Sequence, residues 1–245
     1  MFYKTIKRII DITGSVIGLI ILLPFFPFIT LAIKIDSFLS LSLRVPPKQS
    51  VPLCHSALDA ESSSFSGFHV RHGITERLFK MTTSPVLIKL DRVSEGKIIK
   101  VYKFRSMIVG AAEKKKDLLK LNERKDGPFF KIKNDPRITK VGKFLRKFRI
   151  DEFPQLINVL KGELSLVGPR PHEPEELFAY PREYRELLTA KTGLTGLSQV
   201  NGASGLPFLK ELEYDKYYLE NQSLWLDFKI LFKTLVIFFT DPTGV

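Results

Sequence analysis

Cysteine is almost missing from this 245-residue chain: Cys54 is its one thiol, so no intramolecular disulfide can form and a reducing compartment fits. A reactive thiol needs an activating setting, and nothing around Cys54 announces one. Histidine is scarce as well. Three of the four, His55, His69 and His72, share an irregular stretch with Cys54, but they lack the paired short steps of structural zinc motifs. No segment matches a P-loop or a dinucleotide fingerprint, and no internal repeat is evident. Acidic residues are outnumbered, 26 against 38 Lys and Arg, which leaves a formal net charge of +12. Such a surplus calls for an anionic partner: nucleic acid, an acidic lipid surface or a phosphorylated substrate. A nucleic-acid reader needs a recognition helix or an aromatic platform with interleaved basic residues. Neither is found, so no nucleic acid is expected as a partner.

What the chain does have begins with an apolar run. Residues 12–33, ITGSVIGLIILLPFFPFITLAI, carry no charge and match the ~20 residues that cross a hydrocarbon core. Lys4, Lys7 and Arg8 precede the run and Lys34 follows it, so positive charge does not mark one side alone. Pro24 and Pro27 lie near its centre and remove backbone donors there, which predicts a sharp bend. A bent helix can enter and leave by one face as a re-entrant hairpin; a kinked spanning helix is the alternative. The run exceeds the ~7 to 15 residues of a signal-peptide core, and no small-x-small cleavage site follows it.

Residues 1–36 therefore read as a membrane helix, 37–83 as an irregular insertion and 84–245 as a catalytic domain. The insertion, with LRVPPKQSVPLCHSALDAESSSFSGFHVRHG, scatters Pro, Ser and His without period. Regular structure resumes with PVLIKL and KIIKVYKF, a hairpin joined through DRVSEG. Residues 111–121 are predicted helical, 138–149 form a basic amphipathic helix, and DEFPQLINVLKGE starts another with Pro154 in its first turn and Gly162 near its end. SLVGPRP reads as a short strand and a stiff turn, and the remainder as mostly helix. In the last helix, Trp225, Phe228, Phe232 and Phe239 give an apolar surface for the core with partial bilayer contact. The fold class is α/β in the α+β sense: a small antiparallel sheet surrounded by helices on a bent membrane helix.

Asp151 and Glu152 stand just before Pro154, near the amino end of a helix, where the dipole and free N–H groups favour anions. Both are expected to remain ionised. An ionised Asp can attack phosphorus, while a neighbouring carboxylate can hold a hard divalent cation. Taken alone, the pair is also ordinary helix-capping material. Its company shifts the balance: Arg137, Lys140, Lys143, Arg146, Lys147 and Arg149 precede it, and Arg170 sits between prolines soon after. Arginine offers a planar fork for phosphate oxygens, which singles out Arg146 and Arg170, whereas most of the lysines read as a solvated face. Lys103 and Arg105 alternate along a strand with Tyr102 and Phe104, so one side presents charge to a ligand or simply to solvent. Gly168, Gly193, Gly196 and Gly202 would let backbone approach a nucleotide closely, or serve as turn glycines.

At this point the blocks YKFRSM, DPRITKVGKFLRKFRIDEFPQLINVLKGELSLVGPRP and TGLTGLSQVNG resemble the successive signatures of the bacterial sugar transferases, the monotopic polyprenyl-phosphate phosphoglycosyl transferases. The resemblance implies transfer of a sugar 1-phosphate from a UDP-sugar to a polyprenyl phosphate, with undecaprenyl phosphate the expected carrier, as the first membrane step of surface glycan assembly. It also implies a ping-pong reaction in which Asp151 attacks the β-phosphate and Glu152, with Asp151 beside it, binds magnesium (Mg2+). Arg146 and Arg170 would hold phosphates or the nucleotide, beside Lys103 and Arg105. The chain would sit in the bacterial inner membrane among membrane lipids, its catalytic domain on the cytoplasmic face, with self-association left open.

Three departures stand out. Leu23 replaces the serine that often precedes the helix-breaking proline. Where relatives run almost directly from the membrane helix into SPGPVLFxQxRVGxxGK, this chain interposes 37–83 and continues with TTSPVLIKLDRVSEGK. Ala203 and Ser204 stand where many members have an arginine. A catalytically inactive membrane scaffold is the alternative that the insertion raises, and a membrane-tethered nucleic-acid-binding protein is the further one that the charge would permit.

Overall fold

The computed structural model describes residues 2–42, 85–202 and 205–240. Most of the insertion, with Cys54, His55, His69 and His72, lies outside the described residues, as do Ala203 and Ser204. Helix α1 (Phe2–Leu22) and helix α2 (Phe26–Ser42) are joined by a single 3-10 turn, Leu23–Phe25. The break falls at Pro24, which has no N–H for the α-helical ladder. Helix α2 runs to Ser42, six residues into the stretch read as irregular, because Asp36 and Ser37 are buried against the domain and hold it in register.

Strands β1 (Leu87–Ser94) and β2 (Lys97–Phe104) form an antiparallel hairpin in register from Leu87 opposite Phe104 to Ser94 opposite Lys97. The strand continues through DRVS, so the connection shrinks to Glu95 and Gly96, with φ of 51° and 70°. Two positive φ values define the tight turn whose twist matches that of paired strands. Residues 111–121 are not one helix but two 3-10 turns, Glu113–Lys115 and Leu119–Leu121. Leu119 and Leu121 are exposed, so no buried apolar face supports a longer helix.

Helix α3 (Lys140–Lys147) is shorter than the predicted 138–149. Thr139 caps its start by accepting from the Gly142 N–H, and Arg149, in the left-handed region at φ 51°, ends the basic segment. A 3-10 stretch, Ile150–Gln155, follows and leads into α4 (Leu156–Lys161), which Gly162 terminates at φ 82°. Strand β3 (Ser165–Val167) pairs with β4 (Gly193–Thr195), and this second small sheet is parallel, an addition to the antiparallel one expected. Between them the predicted helix is again reduced to 3-10 turns, Pro174–Ala179 and Arg182–Thr189. The chain closes with α5 (Leu197–Val200), α6 (Phe208–Glu220) and α7 (Leu224–Thr240).

Apolar burial joins these pieces. Val101, Leu156, Val159, Leu164, Val167, Tyr218 and Ile230 form the central cluster; Leu22 and Ile33, one from each arm of the apolar N-terminal segment, pack with Phe104 and Leu145. The arms are also tied by polar contacts. Asp11 accepts from Ser165 Oγ and from the Leu166 N–H at 2.8 Å; Arg8 donates to the carbonyls of Val159 and Leu160, at the carboxyl end of α4. On the other arm, Asp36 accepts the Val141 N–H at 2.8 Å, at the start of α3. Helix α7 buries Asp227 and Ile230 while Trp225, Phe228, Phe232 and Phe239 face outward, so its aromatic face is not the core face.

Gly142 sets how closely α3 approaches the segment that follows β2. A side-chain carbon there would run into the Ser106 carbonyl oxygen, which accepts the Thr139 N–H at 3.1 Å. Gly142→Ala is therefore expected to push α3 outward, lowering stability by about 1–3 kcal/mol in a thermal melt, with loss of whatever Arg146 on the same helix contributes.

Candidate active site

Asp151 and Glu152 lie in the first turn of the 3-10 stretch after Arg149. The abrupt left-handed residue ends one helix and starts the next turn, which directs the two acids toward β2. Asp151 is buried, 6% exposed, and Glu152 is partly open. Lys103, on β2, donates to Glu152 Oε1 at 2.6 Å. Its charge also acts on Asp151.

The two carboxylates consequently separate. Burial raises the Asp151 carboxyl above the ordinary range, opposed by Lys103 and Arg146 and reinforced by Glu152. Burial also works against a charged Glu152, but Lys103, by charge and hydrogen bond, together with Arg170 and Arg149, outweighs it and holds Glu152 down at about 2. The two acids, expected alike from the sequence, therefore differ in environment: the pair shares one principal cation, and the direct contact goes to Glu152. By linkage, Glu152 contributes stability above the ordinary glutamate value that is lost as pH falls toward about 2. Asp151 has the opposite sign, and its contribution is lost as pH rises through its raised value.

Arg146 reaches the site from α3, its Nε donating to Ser106 Oγ at 2.9 Å. Burial lowers its pKa, against which Asp151, Asp135 and Glu152 act. Arg170 follows β3, about two-fifths exposed, and its charge is felt by Glu152. Arg105 stands apart. It is 8% exposed, its Nη1 has no hydrogen-bond partner among the described residues, and no hydrogen bond or ion pair joins it to either acid. Arg137 is likewise internal, clamped to Asp135 at 2.6 Å with both residues buried. Asp151, Glu152, Lys103, Arg146 and Arg170 are therefore brought together, and Arg105 and Arg137 are not.

Three of the four glycines singled out in the sequence meet one another's backbone. A side-chain carbon at Gly168 would lie 2.9 Å from the Gly193 amide nitrogen, and those at Gly193 and Gly196 would run into Gly168 backbone. They pack against one another and draw the Arg170 turn onto β4. Sequence reading missed Ser106, Glu211 and Asp215. Glu211 Oε1 lies 3.9 Å from Arg170 Nε, and Asp215 Oδ2 accepts the Arg170 N–H at 3.2 Å. The signal was available: two acids one turn apart among Phe208, Leu212 and Tyr218 sit on the apolar face of a helix.

Lys103 gives the site a pH signature. Lys103→Met removes the cation that holds Asp151 back, so the Asp151 carboxyl rises further. If the carboxylate is the reacting form, the acid limb of a kcat/KM profile moves to higher pH; an unmoved limb would separate Lys103 from Asp151.

A buried carboxylate of raised pKa, beside an ionised one and between arginines and a lysine, defines an anion-handling acid-pair site at the foot of an apolar helical segment. The bacterial sugar transferase family matches over residues 69–241, and the chain belongs to that family. It is 48% identical over 157 residues to the undecaprenyl-phosphate galactose phosphotransferase of Salmonella typhimurium, covering 61% of this chain and 32% of that protein. It is 42% identical over 169 residues to the UDP-glucose:undecaprenyl-phosphate glucose-1-phosphate transferase of Klebsiella pneumoniae, covering 63% and 33%. With the exopolysaccharide production protein ExoY of Rhizobium meliloti it shares 38% over 143 residues, 57% of this chain and 63% of that protein. The chain thus spans about a third of the length of the first two.

Proposed function

We propose that this protein transfers a sugar 1-phosphate from a UDP-sugar to a polyprenyl phosphate, undecaprenyl phosphate above all, opening a surface glycan assembly at the membrane. The observation that carries the reading is Asp151: a carboxylate buried among Lys103, Arg146 and Glu152 in a member of this family. A carboxylate stripped of water in a cationic pocket is suited to attack phosphorus. An Asp151 oxygen bonds to the β-phosphorus as the bond to the bridging oxygen breaks, and uridine monophosphate leaves with that oxygen. An oxygen of the lipid phosphate then bonds to the same phosphorus, the aspartyl oxygen departs, and the sugar leaves on the lipid diphosphate. Arg146 and Arg170 offset phosphate charge in both halves.

Magnesium fits this site as a companion of the donor. Among the described residues no group of three or more His, Cys, Asp and Glu gathers as a cage. Magnesium is commonly held by one or two carboxylates plus substrate phosphates, and Glu152, ionised and partly open, offers the first of these. When bound there it would neutralise diphosphate charge. Chelating divalent cations is expected to suppress turnover at least tenfold, with recovery on adding magnesium; undiminished rates after chelation would remove the cation from the reaction.

The acceptor's location is supported by the segment from Phe2 to Leu39, whose apolar window has a mean hydropathy of 2.7 and is only 11% buried in the protein. Asp11 and Asp36 both bind the same domain, although a straight helix would carry them about 37 Å apart, more than a hydrocarbon core. That favours entry and exit by one face, with Lys4 and Lys34 on the same, cytoplasmic, side. The outward aromatics of α7 extend the apolar surface. The test is release of uridine monophosphate from a panel of UDP-sugars by the full chain in detergent with magnesium and polyprenyl phosphate, beside Asp151→Asn. Silence across the panel from folded protein would replace the transferase by an inactive membrane scaffold.

A further inference from the structure

Beside Arg170 the chain forms a small pocket lined by Pro169, Arg170, His172, Tyr180, Thr192 and Asp215 among others. Three of its polar atoms, His172 Nε2, Thr192 Oγ1 and Asp215 Oδ1, have no hydrogen-bond partner among the described residues, although their residues are only 5%, 5% and 1% exposed. Native interiors leave few such atoms unsatisfied, and a bound water with two to four polar partners is the usual remedy.

The rest of each group is already fixed. His172 Nδ1 lies 3.3 Å from Glu176 Oε2, and its ring stacks on Phe129 at 5.3 Å and meets the edge of Tyr180. The other oxygen of Asp215 accepts the Arg170 N–H, and Glu211, one turn earlier on α6, faces Arg170 Nε. Their unpaired atoms include one carboxylate acceptor, one hydroxyl able to give or accept and one imidazole nitrogen. All three residues line the same pocket, which is where a shared water would meet them.

We propose that the pocket holds a single bound water shared by His172 Nε2, Thr192 Oγ1 and Asp215 Oδ1, and that Asp215, through this water and the Arg170 N–H, is a positioning residue for the Arg170 guanidinium, with Glu211 as its second support. The assignment of Arg170 to a donor phosphate rests on the function proposed above. Glu211 is 2% exposed and has Arg170 as its facing cation, so the two acids of α6 form a buried platform beneath a half-open arginine. Burial pushes the Asp215 carboxyl up to about 6, with Glu211 adding to it and Ser198, His172 and the Arg170 N–H opposing.

Two measurements decide the matter. A crystal structure of the full chain, independent of turnover, should show one density peak within hydrogen-bond reach of all three atoms; a dry pocket, or side chains turned to pair among themselves, overturns the water. A double-mutant cycle on kcat/KM for the UDP-sugar tests positioning. Asp215→Asn should lower kcat/KM about tenfold, chiefly through KM, and Arg170→Ala should lower it more, while the double variant loses no more than Arg170→Ala within about twofold. Additive losses overturn the inference. Should Asp215→Asn fail to fold, Thr192→Val keeps the shape and removes one partner of the water; it should raise KM severalfold, and an unchanged KM counts against the proposal. An inactive native chain would instead overturn the functional reading, and the pocket would still be decided by the crystal.

Discussion

Asp151→Asn is expected to abolish turnover of the UDP-sugar, by roughly a thousandfold or more, and to leave no sugar phosphate attached to the protein. Asparagine fills the same buried volume among the same cations, so packing is kept while the charge of the proposed nucleophile is removed. Stability should scarcely fall, because a buried carboxyl whose pKa is already raised by burial gains from losing its charge. The measurement pairs release of uridine monophosphate with intact-mass detection of the covalent adduct and a thermal melt. Residual turnover within tenfold of the native chain would assign the nucleophile elsewhere.

Asp227→Ala is the second large effect, and it acts on the anchor. Asp227, 5% exposed on α7, accepts from Lys7 at 2.8 Å, Tyr3 at 2.9 Å and Tyr218 at 2.6 Å. The Tyr218 hydroxyl, whose one proton goes to Asp227, also lies 3.3 Å from the Val167 carbonyl at the end of β3. Removing the carboxylate leaves the Lys7 ammonium, only 17% exposed, with no counter-ion in this cluster. Breaking one half of a fully buried pair costs about 3–5 kcal/mol, and this partly buried one should cost somewhat less. A melt of the detergent-solubilised chain should show that loss, and limited proteolysis should cut sooner near the junction of α1 with the domain. Tyr218→Phe, which removes one donor and keeps the ion pair, should cost much less. Equal losses would mean that the hydroxyl rather than the charge carries the anchor.

The two substitutions touch different layers of legibility. Asp151 was visible in the sequence because two adjacent acids before a proline, amid arginines, are few enough to stand out, and the blocks YKFRSM and SLVGPRP gave them a family setting. Asp227 was not. It reads as one acid in an aromatic helix, and only packing of α7 against α1 brings Tyr3, Lys7 and Tyr218 to it from positions more than two hundred residues away or on another helix. The same holds for Glu211 and Asp215: their spacing marked the buried face of a helix, but nothing local said that Arg170 would lie over them.

The sequence by itself determined the apolar segment and its break at Pro24, the presence of the β1–β2 hairpin, the acid pair, and the family. These rest on chain-local signals: a missing N–H, two β-branched runs with a polar connection, a run of side chains without charge; the tight Glu95–Gly96 turn came only with strand pairing. Tertiary structure alone decided which cation serves which acid, so that Lys103 holds Glu152 low while burial drives Asp151 up. It alone decided that Arg105 and Arg137 turn inward and that Gly168, Gly193 and Gly196 pack against one another. Ionisation and burial depend on what lies a few ångströms away, and that distance is set by packing between elements far apart in the chain.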